Sequence, residues 1–278
     1  MSILGFSGLL LLLSYFAGIL GAITGVGGGA VLIPVLVLLF HINIYYAMGA
    51  SLISVIATSS GTTSVYLRHG LTNLRIGMLL EVGAVSGALL GALLVKYIPG
   101  SIIAIILGSV LLISAYFVLQ RHEDGETPAV SHPWATALKL NGEFPVPGGT
   151  KAYQVQRVPL ALSLMSLAGL LSGLLGIGAG VLKVLAMDQT MRLPYRVSTT
   201  TSNFMIGITA AASVGIYFAR GYIDPVLVFP VLLGVLLGSF TGTLVLARLH
   251  VRVLRIIFSV VICLLGMELI YKGLTGGL

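Results

Sequence analysis

The chain has 278 residues and a formal net charge of +7, yet only 8% of its residues are charged and its mean hydropathy is +1.09. A soluble protein carries roughly 25% charged residues. The composition therefore excludes a soluble enzyme or nucleic-acid-binding protein and predicts a chain whose solvent is the lipid bilayer. The Lys and Arg residues are then expected in loops, where they set the orientation in the membrane. The lone Cys263 excludes a disulfide within one chain.

Apolar segments of membrane length follow one another along the chain. They are predicted at about 3–40, 44–67, 76–97, 101–119, 158–187, 197–219, 225–247 and 253–271. A helical span needs about 20 residues, so the first and fifth segments are too long for one span, and both are interrupted by glycines. Because glycine at this density cannot hold a regular helix, each should contain two helices, at about 3–24 and 30–40 and at about 158–175 and 180–190.

One sequence pattern occurs twice, 151 residues apart, and both copies lie in these interrupted segments. The first copy runs from Ala17 to Gly29 and the second from Ala168 to Gly180. The same offset pairs Ser51 with Ser202, Tyr66 with Tyr217 and Gly70 with Gly221. It also pairs three glycines of the first half, Gly83, Gly87 and Gly91, with Gly234, Gly238 and Gly242 of the second. Two homologous halves, 1–119 and 158–278, each opening with a glycine-broken segment, are typical of secondary transporters.

The Lys and Arg residues distinguish two topologies. If each broken segment crosses the membrane once, they divide eight against six, with Lys183 omitted because it lies within a segment. If each broken segment returns to its own side, they divide eleven against three, which follows the positive-inside rule. We therefore predict that each half has a glycine-broken helical hairpin followed by three spans, and that the halves have inverted topology. Both termini are then outside, and the linker 120–157 is cytoplasmic.

Two features of this arrangement stay open. The second arms of the hairpins have about 11 residues each, or roughly 16 Å of helix, which favours hairpins that re-enter to mid-depth over ones that span fully. The polar linker is interpreted as a connection between the repeats, with a gating or partner-binding loop as the alternative.

The two glycine turns are the first candidate for a substrate site. Glycine lets the backbone approach a ligand closely, and a helix that begins after a turn points its free N–H groups and positive dipole end at that turn. Two such turns facing each other would surround an anion with donors. The candidates are Gly25, Gly27, Gly28, Gly29, Gly176, Gly178 and Gly180. Close helix packing is the alternative, and we prefer it for the glycines spaced by four residues, at 83–91 and 234–242.

Hydroxyl and charged residues within the apolar segments are the second set of candidates. Ser51, Thr201, Ser202 and Asn203 are neutral groups suited to holding and releasing an oxyanion, although such side chains also bond to the preceding helical turn. Lys183 follows Gly180 by three residues and is predicted to bind the anion rather than to pair with Glu81. An ion pair with Glu81 and extension towards the cytoplasmic face are the alternatives. No catalytic residue, metal site or cofactor is predicted, because no motif for one is present.

The paired Gly-x-Gly-Gly-Gly turn, the positions Ala50-Ser51-Leu52 and Thr201-Ser202-Asn203, and the arginine–glycine pairs near Gly70 and Gly221 together resemble the TauE/SafE family of sulfite exporters. The resemblance covers about 13–119 and 164–272. It implies an anion permease for sulfite, sulfoacetate and other sulfur-containing or organic acids. In the second half Ala179 replaces the middle glycine and Leu185 replaces Pro34, so the halves are not equivalent.

The expected protein is an all-α inner-membrane transporter, and not an enzyme, that moves a small sulfur oxyanion or sulfonate by alternating access between the two repeats. Export is expected, because an inside-negative potential drives an anion outward by about 2.3 kcal/mol per charge per 100 mV without a coupled ion. The first rival is a proton-coupled importer of organic anions with Glu81 as the proton carrier. The second is a structural or sensory membrane protein. The expected partners are the anion and the bilayer, with a homodimer left open and no nucleic acid.

Overall fold

The structure, a computed structural model, describes residues 3–24, 27–68, 70–119, 131–146, 149–246 and 251–276. The first half comprises α1 (Ile3–Thr24), α2 (Gly29–Leu38), α3 (Ile44–Arg68), α4 (Leu74–Leu94) and α5 (Gly100–Leu119), with a 3-10 turn at Val95–Tyr97. The linker comprises α6 (Pro133–Ala137), β1 (Gly142–Val146) and β2 (Gly149–Tyr153). The second half comprises α7 (Val158–Leu175), α8 (Gly180–Leu185), α9 (Tyr195–Ala219), α10 (Pro225–Leu246) and α11 (Val251–Thr275), with a π-helical turn at Ala186–Thr190.

Seven helices in the described part of the chain are long and apolar enough to cross a membrane, namely α1, α4, α5, α7, α9, α10 and α11. This confirms the prediction of an all-α integral membrane protein. By contrast, α2 has 10 residues and α8 has 6. At 1.5 Å per residue they reach only about 15 Å and 9 Å, so neither spans the bilayer alone.

The chain turns back on itself at both glycine-rich breaks. Phe6 near the start of α1 packs edge-on against Phe40 just after α2, with ring centroids 5.3 Å apart. In the second half the amide of Gln156, just before α7, donates to the carbonyl of Met191, just after the π-helical turn that follows α8, at 3.2 Å. Each short second arm therefore ends beside the start of the first arm, as the predicted hairpins require.

Helices of one half pack mainly against helices of the other half. α1 packs along α10, α4 along α7, α5 along α11 and α3 along α9. Glycines make the first two contacts close: a Cβ added at Gly87 would lie 2.8 Å from the amide nitrogen of Leu170, and one added at Gly18 would lie 2.9 Å from the Cα of Val235. The glycines spaced by four residues therefore serve helix packing.

The contacts also give the relative directions of the helices. Gly234 and Gly238 of α10 lie on α1 at Leu11 and Tyr15, so the numbering rises together and these helices are parallel. The same holds for α4 and α7. For α5 and α11 the order is reversed, because Gly108 meets Gly266 while Gly273 meets Ser101. Hence α5 and α11 are antiparallel, and so are α3 and α9, where Ser59 bonds to the early α9 residue Asn203.

The linker is a folded unit that packs on the helices, which its sequence did not predict. β1 and β2 pair antiparallel, with Gly142 opposite Tyr153. The apolar linker residues share one core with the helical ends beneath them; this core includes Ala135, Leu140, Phe144 and Tyr153 of the linker together with Ile76, Leu80, Met187, Met191 and Val197. The linker therefore covers one end of the bundle.

Candidate functional site

The two glycine turns meet in the middle of the bundle on one pair of side chains. A Cβ added at Gly27 would lie 3.3 Å from Ile206 and 3.5 Å from Val55, and one added at Gly178 would lie 3.4 Å and 3.0 Å from the same two residues. Val55 and Ile206 are equivalent positions of the two repeats, near the midpoints of α3 and α9. Gly29 brings the first turn close to the second, since its added Cβ would lie 3.4 Å from the carbonyl oxygen of Gly176.

The backbone at these turns adopts conformations that favour glycine. Gly27 has φ +84°, Gly176 +70° and Gly178 +75°, a region that glycine occupies without steric cost. The halves differ at the next position, where Gly28 is right-handed at φ −62° but Ala179 is left-handed at +48°. Ala179 is therefore strained, whereas its counterpart is not. Gly25, also predicted for this site, lies outside the described residues.

Two of the predicted hydroxyl residues hold the second turn. The Ser51 hydroxyl donates to the carbonyl of Gly176 at 2.6 Å, and the Ser202 hydroxyl donates to the carbonyl of Gly180 at 3.0 Å. Both serines are fully buried. Because Ser51 belongs to the first half and Gly176 to the second, this bond ties the two repeats together at the candidate site.

The other two predicted polar residues have different surroundings. The Thr201 hydroxyl accepts a hydrogen bond from the amide of Asn73 at 3.1 Å, so Thr201 contacts the loop between α3 and α4 rather than the turns. The Asn203 carbonyl accepts from Ser59 at 2.5 Å. The side-chain oxygen of Asn203 is buried and has no hydrogen-bond partner among the described residues, so it remains available to a ligand or water.

Lys183 and Glu81 form a buried ion pair, and the expectation that they do not pair is wrong. The Lys183 ammonium donates to the hydroxyl of Thr209, which donates in turn to Glu81 Oε1. The ammonium nitrogen lies 3.8 Å from Glu81 Oε2. The sequence could not give this pairing, because it depends on α4 and α8 both packing against α9.

Tyr217 of α9 contacts the end of α7, a role that the sequence alone did not indicate. Its hydroxyl lies 2.9 Å from the carbonyl of Gly173 and 3.3 Å from that of Leu174, to which it donates. These carbonyls belong to the last turn of α7, where a helix has no internal donors left. The only sequence signal was the pairing of Tyr217 with Tyr66 by the repeat. The buried hydroxyls of Ser54 and Ser172, which lack partners among the described residues, were also not singled out.

Asn73 connects the linker to α9. Its side-chain amide donates to the Tyr153 hydroxyl at 2.6 Å and to the Leu140 carbonyl at 3.0 Å, while its backbone amide donates to Thr201. Burial raises the pKa of Tyr153, and the hydrogen bond from Asn73 offsets part of that rise. The hydroxyl therefore stays protonated at neutral pH, and the connection is uncharged.

The described residues hold no group of three or more His, Cys, Asp or Glu side chains that could bind a metal ion. Hydrogen bonding is available near the turns. Hydroxyl donors occupy several carbonyls, and the helices that begin at the turns contribute backbone N–H groups.

Comparisons with known proteins agree with this architecture. Residues 10–269 match the model of the family described as "Sulfite exporter TauE/SafE". The chain is 25% identical over 275 residues to the probable membrane transporter protein YunE of Bacillus subtilis, and the matched region covers 96% of this chain and 98% of the relative. It is 28% identical over 235 residues to YdhB of the same organism, covering 84% and 88%. Over 275 residues it is 22% identical to MJ0441 of Methanocaldococcus jannaschii, covering 93% of each. No solved structure matches.

Proposed function

The chain belongs to the sulfite exporter TauE/SafE family and is a multi-pass membrane transporter, and from that premise we propose that it moves a small anion such as sulfite or a sulfonate across the inner membrane. The observation that carries this proposal is the meeting of both glycine turns on Val55 and Ile206. At this point short helices from both halves begin, and the glycines of the two turns carry no side chains of their own.

The polarity of the broken helices favours an anion. The end of α7 presents carbonyls, which repel an anion, while the start of a helix presents N–H groups, which attract one. Tyr217 donates to carbonyls in the last turn of α7, and Ser51 donates to that of Gly176. These donors reduce the negative potential at the turn, so the balance shifts towards binding an anion. Neutral groups also suit a ligand that must be released after each crossing.

We infer that the two halves have inverted topology and alternate access around this site. The equivalent helices α3 and α9 are antiparallel. α1 of the first half is parallel to α10 of the second half, and α10 is the counterpart of α4. These contacts support opposite directions for the two halves, the arrangement of transporters that rock around a fixed central site. The division of Lys and Arg, eleven against three, supports a cytoplasmic linker and outside termini.

Two directions of transport follow from different couplings. An anion that moves alone is driven outward by the membrane potential, which supports export. A proton-coupled importer of organic anions is the second candidate, and the buried Glu81 in α4 is the observation that favours it. A proton that moves with the anion would reduce the charge transferred and link transport to the proton gradient.

The proposal is tested with the purified protein in two steps. A thermal-shift screen against sulfite, sulfate, thiosulfate, sulfoacetate and taurine should show stabilisation by at least one anion, since ligand binding to the native state raises its stability. Taurine is the matched control for sulfoacetate, because it carries the same sulfonate with a neutralising ammonium. Proteoliposomes should then release the stabilising anion faster than protein-free liposomes. Stabilisation by none of the anions, with no release above the protein-free rate, would contradict the proposal.

A further inference from the structure

The ion pair of Lys183 and Glu81 occurs in only one of two equivalent places. The repeat offset places Leu32 at the position of Lys183, Leu232 at that of Glu81 and Thr58 at that of Thr209. Leu32 is fully buried, and Leu232 packs against the same apolar core. The symmetry-related positions are therefore filled by apolar residues, which indicates that this architecture does not require a charged pair there for packing.

Burying an ion pair carries a desolvation cost in free energy that burying two leucines does not. The charges lose their hydration, and well-packed apolar residues of similar size are often as stable or more stable. Charged residues within membrane spans accordingly mark functional sites by default. The internal comparison with Leu32 and Leu232 strengthens that expectation for this chain, because the apolar solution is present in the same molecule.

The pair is also incompletely satisfied. Glu81 Oε2 is buried without a hydrogen-bond partner and lies 3.8 Å from the Lys183 ammonium. Lys183 is attached to the second glycine turn, since its amide donates to the carbonyl of Ala179 at 3.1 Å. The ammonium is held by a loosely bound carboxylate and by Thr209, which lies on α9 one helical turn after Ile206, the residue on which both glycine turns meet.

The charged groups around Glu81 are few. α4 packs against α7 and α9, and α7 carries no charged side chain. The other titratable groups on the described residues of α4 and α9 are Arg75, Tyr195, Arg196 and Tyr217, with Arg220 directly after α9. Arg220 is held by the carbonyls of Ala92 and Leu93. Lys183 is thus the group that compensates the charge of Glu81.

We propose that the transported anion replaces Glu81 as the partner of Lys183, and that Glu81 takes up one proton when it does so. This inference rests on the proposed anion transport. Without Lys183, the buried carboxylate would keep its charge uncompensated, which is strongly unfavourable. Protonation removes that charge: a hydronium ion transfers its proton to the carboxylate, so one O–H bond of hydronium breaks as one forms on Glu81, and water is released. Anion and proton then occupy the protein together, and the summed gradients of both set the direction of transport.

Proton uptake on anion binding tests this coupling directly. The probe is sulfoacetate, whose acid groups stay ionised near neutral pH, added to detergent-solubilised protein in weak buffer with a pH-sensitive dye. Wild type should take up about one proton per bound anion, and its Kd should rise about tenfold per pH unit above neutrality, as linkage requires. Glu81→Gln, which resembles the protonated residue, should bind without proton uptake and with a Kd independent of pH.

The double variant Lys183→Leu/Glu81→Leu is the matched control, because it installs the leucines of the symmetry-related positions, Leu32 and Leu232. It should fold and lose the proton uptake. Binding by wild type without proton uptake would overturn the inference while leaving anion transport intact. A double variant that keeps wild-type proton uptake, or that cannot fold, would also overturn it, the latter by showing that the pair serves packing. If wild type binds none of the anions in the thermal-shift screen, the proposed function fails and the inference falls with it.

Discussion

Gly178 is the position where one added side chain tests the candidate anion site most directly. Replacing it with valine places a branched side chain at φ +75°, between Val55 and Ile206. We expect Gly178→Val to abolish transport while the protein remains folded, and Gly27→Val to do the same in the first turn. The added methyl groups would occupy the space where the backbone meets the anion.

The structural cost of Gly178→Val can be estimated from its two parts. The left-handed conformation costs a residue other than glycine about 1–2 kcal/mol. The new Cβ would lie 3.0 Å from a Val55 methyl group, and such overpacking costs about 1–3 kcal/mol. The sum, about 2–5 kcal/mol, lies at or below the low end of the total stability of folded proteins, about 5–15 kcal/mol. Loss of transport should therefore exceed loss of folding.

The neighbouring residue supplies the control for Gly178→Val. Ala179 is also left-handed, so Ala179→Gly should relieve about 1–2 kcal/mol of strain in the folded state. The greater freedom of the unfolded chain should offset about 0.4–1 kcal/mol of that gain in stability. It should keep or raise the melting temperature and still transport. Flux in proteoliposomes and thermal unfolding in detergent measure both variants. Normal flux through Gly178→Val would refute the assignment of this turn to the anion site.

Three further outcomes are expected. Tyr217→Phe should lower the free energy of unfolding by about 1–3 kcal/mol, because it leaves buried carbonyls of α7 without their donor; an unchanged thermal unfolding curve would contradict that bond. Gly87→Ala should lower the melting temperature, whereas Gly215→Ala, whose Cβ would meet nothing within 4 Å, should keep or raise it; equal shifts would count against the close packing of α4 on α7. A cysteine introduced at Glu143 should react with a membrane-impermeant maleimide only from inside, and one at Asp224 only from outside; the reverse pattern would exclude the predicted orientation.

The glycine turns illustrate what the sequence could predict. A spacing of two residues, as at Gly27 and Gly29, cannot form a packing stripe on a helix, and so it indicated a break. The four-residue spacing from Gly83 to Gly91 indicated packing, and the structure places that stripe on α7. Both predictions depended on local periodicity, which a single sequence contains.

The partners of Lys183 and Asn73 illustrate what the sequence could not predict. Glu81 and Lys183 are brought together because α4 and α8 both pack against α9, and no local pattern specifies which helices become neighbours. The linker hairpin was missed for a related reason. Its strands are five residues each and are stabilised by apolar contacts with distant helical ends, so their own sequence carries little signal.

The exchange of packing partners between the halves has a consequence for the biosynthesis of this protein. α1 is complete at Thr24, but α10, on which it packs, begins only at Pro225. At roughly 5–20 residues per second, the ribosome needs about 10–40 s to synthesise the intervening chain. During that interval the nascent first half lies in the bilayer with its backbone grooves open to lipid. We therefore expect that neither half is stable alone, and that separately expressed halves accumulate only when both are present in one cell.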